Sequence, residues 1–100
     1  MSVNYNFEWD PNKARANMAK HGVGFEEAAT IFMDPMVLTI YDPDHSDNEE
    51  RWITIGISRN SRLLVVCHSF HEESRKAVNI RIFSSRKAGK TEISQYGEQL

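Results

Sequence analysis

At Asp34-Pro35-Met36 the hydrophobic rhythm of the chain changes, and that change limits the fold more than any other feature of the sequence. Upstream, apolar residues recur at helical spacing; downstream they alternate as strands do. "YNFEW" first reads as a short edge strand, and Asp10-Pro11 then supplies an N-cap and a proline at the first helical position. The helix predicted from there turns Ala14, Met18 and the stem of Lys13 to one side and stops at His21-Gly22, where glycine supplies the left-handed turn. A second helix follows in "FEEAATIFMDP", with Phe25, Ala28, Ala29 and Phe32 on its core face and Pro35 blocking extension.

Beyond Met36 come "MVLTIY", "RWITIGIS", "RLLVVCHSF" and "AVNIRIFS", four strand-like runs that predict an antiparallel meander. Arg59-Asn60-Ser61-Arg62 reads as a hairpin turn, and residues 72–76 as a longer connection. "AGKTEISQYGEQL" has weak helical periodicity through Ile93 and either Tyr96 or Gln95, giving a short final helix. The expected fold is therefore α+β: a short N-terminal strand, two helices on one face of a largely antiparallel sheet, and a short C-terminal helix. The opposite face is expected to stay open. Within the last strand the period of two sends Val78, Ile80 and Ile82 to the core and Asn79, Arg81 and Phe83 to the open face. At 100 residues the chain is expected to form one domain over residues 1–100.

Charge is divided along the chain. Residues 42–50 carry Asp42, Asp44, Asp47, Glu49 and Glu50 without a lysine or arginine, whereas residues 75–90 carry Arg75, Lys76, Arg81, Arg86, Lys87 and Lys90 without an acid. The net charge of −2 hides this division, and an anionic ligand selects the second stretch. No apolar run is long enough to cross a bilayer and no secretory signal is evident at the N-terminus, so the cytoplasm is the expected location. The lone Cys67 excludes an intrachain disulfide and reads as a small buried apolar residue.

Two apparent motifs do not hold. Gly89-Lys90-Thr91 ends like a phosphate-binding loop, but Ser84 stands where its first glycine belongs and too little chain follows for the remaining nucleotide fold. "CHSFH" at residues 67–71 offers metal-ligand types, yet in a strand Cys67 and His71 stand about 13 Å apart while His68 points to the other side. No metal and no cofactor are expected. His21 is read as capping its helix, Trp9 and Trp52 as filling core or interface, and the 42–50 stretch as a solvated loop.

The strings "FEWDPNKARANMAKHGVGFEEAATIF" at 7–32, "EERWITIGIS" at 49–58, "RLLVVCHSF" at 62–70 and "IRIFSSRKAGKTEISQYGE" at 80–98 resemble the BrnT family of bacterial toxins across nearly the whole chain. The sequence departs from that family's usual pattern at Ser85, at Gly89 and in a less basic final helix. The resemblance implies a RelE-like fold and a metal-independent endoribonuclease, the toxin half of a type II toxin–antitoxin pair. It also implies a BrnA-like antitoxin of ribbon-helix-helix type, bound in a heterotetramer that represses its own promoter through operator DNA. An inactive relative serving as co-repressor or interaction subunit, and a plain RNA-binding domain, are the competing readings.

Such an enzyme must take a proton from a 2′-hydroxyl, stabilise charge at phosphorus and protonate the departing 5′-oxygen. Arginine suits the middle task, because its planar fork holds two phosphate oxygens and stays charged. Arg81, Arg86 and Lys87 are candidates from the last strand, with Arg51 arriving from another and Arg86 favoured most. Arg75, Lys76 and Lys90 are candidate RNA contacts. For proton transfer Glu50, His68, His71 and Lys87 remain open. The same cations also suit an interface for an acidic partner segment.

Overall fold

The computed structural model describes residues 3–46 and 49–99. Strand β1 (Asn4–Glu8) leads into helix α1 (Pro11–His21), whose N-cap Asp10 accepts a hydrogen bond from the Asn12 N–H at 2.8 Å. Gly22 ends α1 at φ 69°, a left-handed conformation that a Cβ would strain. Helix α2 (Phe25–Ala29) tightens into a 3-10 turn (Thr30–Met33) short of Pro35, so the second helix is shorter in α form than its sequence pattern predicts.

Strands β2 (Leu38–Asp42), β3 (Arg51–Ile57), β4 (Leu63–His68), β5 (His71–Ser74) and β6 (Ala77–Lys87) follow, then helix α3 (Lys90–Gly97). The six-stranded sheet runs β1-β6-β4-β3-β2, with β5 also paired to β6. The β2–β3, β3–β4, β4–β6 and β5–β6 pairs are antiparallel, whereas β1 lies parallel to β6 in the register Glu8↔Arg81.

One core lies between the helices and the sheet: Val23, Phe25, Ala28 and Ile31 against Leu64, Val66, Val78, Ile80 and Ile82. The predicted inward set of β6 is thus buried. The helix side of α1 differs from expectation, since Met18 is 51% exposed while Asn17 is buried. Asn17 is there for its hydrogen bonds: its amide donates to the carbonyls of Val23 and Ser85 at 2.9 and 2.8 Å and accepts from the Ser85 N–H at 3.1 Å. Strand β1 pairs only as far as Arg81, so Asn17 replaces a neighbouring strand where β6 runs on beyond it.

Two expectations are corrected. The second face of the sheet is not left open, because α3 covers part of it with Tyr96 packed on Ile55 and Val65 beside Leu38, Ile53 and Leu63. Strands apolar on both sides require cover on both. Tyr96 fixes α3 by donating its hydroxyl to Asp34 at 2.6 Å, and burial together with that carboxylate pushes the phenol up to about 12. The 72–76 stretch is also more than a connection: His71–Ser74 forms β5 on the flank of β6, and its wholly exposed side chains explain why no apolar alternation announced it.

Buried polar groups are mostly paired. Glu27 receives Arg62 through two guanidinium bonds and the Ser58 hydroxyl at 2.7 Å, and these contacts tie α2 to the β3–β4 turn. Chiefly through Arg62, they hold the Glu27 carboxyl down at about 2. His68, 1% exposed, donates from Nδ1 to the Ser69 carbonyl and accepts from the Thr54 hydroxyl, itself bonded to Thr39. Burial depresses its pKa, which favours the neutral ring these bonds require.

Candidate active site

A one-residue irregularity in β6 decides what its cations face. Cys67 pairs with Ser84 but His68 pairs with Ile82, leaving Phe83 as the extra residue of a β-bulge. Upstream the even positions Val78, Ile80 and Ile82 point to the helices; downstream Ser85 does so. Arg86, paired with Val65, therefore shares the side of Arg81 and Phe83, whereas Lys87, paired with the core residue Leu64, lies on the helix side. Unbroken alternation would have put Arg86 on the inner face.

On the outer side, a cleft of about 320 Å3 is lined by Lys13, Asp42, His45, Arg51, Ile53, Val65, Cys67, Phe83, Ser84 and Arg86. The Phe83 ring is its aromatic wall: the Arg51 guanidinium carbon stands 4.0 Å from the ring centroid and the Lys13 ammonium 5.4 Å. Lys13 reaches this place because α1 flanks the β6 edge that β1 leaves unpaired. Arg86 donates to Glu92 at 2.9 Å, and the same carboxylate oxygen accepts the Gly89 N–H at 2.7 Å, so the start of α3 aims the guanidinium. Arg86 first and Gly89 second hold the Glu92 carboxyl below its ordinary range.

The cleft also contains a pair of groups that the sequence reading passed over. Asp42, whose side chain is 9% exposed, takes the Nδ1–H of His45 at 2.8 Å, while His45 itself is 67% exposed. A short 3-10 turn (Pro43–His45) creates the i, i+3 approach. Ser46 locks it by donating to the Asp42 carbonyl at 2.5 Å and accepting the Arg51 N–H at 3.0 Å. With Nδ1 occupied, Nε2 is the ring nitrogen left to exchange a proton. The one available signal was the spacing Asp42-Pro43-Asp44-His45, hidden by its resemblance to a solvated acidic loop.

Cys67 is a correction, since it is half-buried and lines this cleft rather than filling the core. Burial pushes its thiol up and outweighs the opposing pull of Arg51, which leaves it a neutral thiol.

The other predicted residues lie elsewhere. Glu50, His71 and Arg81 line a second, neighbouring cleft, where Arg81 stands 3.7 Å from Glu8. His68 is enclosed on the helix side against Phe32. Arg75 and Lys76 form the β5–β6 turn, about 23–26 Å of strand from Phe83 at ~3.3 Å per residue. Lys90 begins α3. Trp9 packs on Phe25 and Trp52 on Tyr41, away from the cationic cleft.

The crystal structure of the Brucella abortus ribonuclease toxin BrnT, at 1.1 Å resolution, superimposes with a TM-score of 0.56 at 21% identity, covering 87% of this chain and 100% of that one. The two proteins share a fold. No curated protein matches the chain. The family model described as the ribonuclease toxin BrnT of type II toxin–antitoxin systems matches residues 9–92. By that match over most of its length, the chain belongs to the BrnT family of ribonuclease toxins.

Proposed function

We propose that the protein is a metal-independent endoribonuclease whose active site is the cleft between Arg51, Phe83 and Arg86. The observation that carries this reading is the convergence of three cations and an aspartate-oriented histidine on one aromatic-walled cleft. Arg51, Arg86 and Lys13 hold the non-bridging oxygens of a phosphodiester and stabilise the added negative charge of its pentacoordinate state. His45 Nε2 takes the 2′-hydroxyl proton, and Asp42 stabilises the resulting imidazolium. The 2′-oxygen bonds to phosphorus as the bond to the 5′-oxygen breaks. Lys13 or water returns a proton to that oxygen, leaving a 2′,3′-cyclic phosphate end. Arg81, Glu50 and His71 belong to the neighbouring cleft; Lys87, Arg75, Lys76 and Lys90 serve more remote contacts with RNA or with the antitoxin. A DNA-binding antitoxin that lays an acidic segment across the cleft silences it by occupying the phosphate positions.

The test is cleavage of single-stranded RNA by the purified protein in EDTA. Arg86→Ala is expected to lower kcat/KM about a hundredfold, equivalent to ~2–3 kcal/mol of transition-state stabilisation. Undiminished cleavage by the variant rejects that role. Absence of cleavage, with tight antitoxin binding and strengthened operator binding, assigns the chain to the co-repressor reading instead.

A further inference from the structure

The second cleft, about 440 Å3, lies one side-chain step along the sheet from the first. Cys67 and Phe83 line the first cleft, and Ser69 and Arg81, two residues away on β4's continuation and on β6, line the second. That step is about 7 Å of strand, comparable with the advance from one nucleotide to the next in an extended single strand. The second cleft differs in chemistry. Glu8, Glu49 and Glu50 line it, so it repels phosphate, while Phe70 is 49% exposed at its side and Arg81 projects into it. A polyanion can put only an uncharged part of itself there, and an exposed aromatic ring beside hydrogen-bonding groups suits a nucleobase.

We propose that this cleft is a guanine-recognition subsite that selects which phosphodiester the first cleft cuts, an inference that rests on the ribonuclease reading. Guanine alone among the four bases presents two adjacent donors, N1–H and the N2 amino group, on one edge and two acceptors, O6 and N7, on another. A carboxylate of Glu49 or Glu50 accepts from the first pair, the Arg81 fork donates to the second, and Phe70 stacks on the ring. Adenine would set its N1 lone pair against a carboxylate oxygen. Glu8 stands 3.7 Å from the Arg81 guanidinium in the same cleft.

The experiment compares oligoribonucleotides identical except for G, A, C or U at the position beside a single cleavable linkage, together with binding of guanosine and adenosine 3′-monophosphates followed by NMR. The protein is expected to favour G at least about tenfold in kcat/KM, and a Glu49→Gln, Glu50→Gln double variant to lose most of that ratio. Both glutamates are exposed, so the fold does not depend on them. Phe70→Ala is expected to weaken both mononucleotides alike, because stacking is indifferent to the base. Equal cutting of all four oligomers, or a G preference that survives in the double variant, overturns the proposal. If no oligomer is cut but the guanosine nucleotide is held more tightly, and this is lost in the double variant, the subsite stands and the ribonuclease reading falls. Indifference to both nucleotides together with binding of an arginine-rich peptide assigns the cleft to a basic protein segment and overturns the proposal.

Discussion

In the proposed mechanism His45, an exposed imidazole, depends on a nearly buried neighbour, Asp42, bonded to Nδ1. His45→Ala is expected to lower kcat on an oligoribonucleotide about a hundredfold, and Asp42→Asn to lower it about tenfold or more by removing the carboxylate that fixes the ring's orientation and tautomer. His68 has the opposite character, enclosed and neutral. Its folded pKa lies below the ordinary 6.5, so the unfolded chain binds the extra proton first as pH falls. Its contribution to stability is therefore complete above 6.5 and is lost as pH drops through the folded value. Urea titrations from about pH 7 down to about pH 5 are expected to show stability falling, with a flatter dependence in His68→Gln.

Helix α1 and strand β6 depend on each other through Asn17. Replacing it with alanine strands the Ser85 N–H and two carbonyls in a buried setting, at a cost of about 2–3 kcal/mol readable in the urea midpoint. It also loosens the hold of α1 on the β6 edge where Lys13 meets Phe83, so RNA cleavage is expected to fall more than stability alone explains. The amphipathic rhythm of the sequence led to α1, to the start of α2 and to the strands β2, β3, β4 and β6, because apolar spacing reports directly on burial. It missed β5, whose four residues are exposed, it misjudged Met18, and it passed over Asn17, because a polar residue buried for its hydrogen bonds leaves no hydrophobic trace. In the site, the cationic residues Arg51 and Arg86 stood out by charge alone. Lys13, Phe83, Asp42 and His45 did not, since their meeting depends on an unpaired strand edge, a bulge and a folded-back turn.

For the whole molecule, a net charge of −2 means that in the proposed mechanism one local cationic patch must hold RNA against a weakly repulsive background. With three cations on the phosphate track, log K for a non-cleavable oligomer is expected to fall with log[salt] at a slope of about −2, from ~0.7 per neutralised phosphate. Lys13→Ala is expected to make that slope shallower by about 0.7, measured by fluorescence anisotropy. The residue that stands behind this arrangement carries no charge. Phe83 interrupts the cadence of β6, so the strand has one parity before it and another after. Straightening the bulge without shortening the strand would keep every arginine in the sequence, yet Arg86 would swing toward the packed interior and Ser85 into water, whereas losing Phe83 together with the bulge would leave both where they are. In the proposed mechanism the reach of Arg86 into the cleft is thus a matter of phase as much as of composition, and a relative with all the same letters but a regular pairing in this strand would hold that guanidinium on the wrong side.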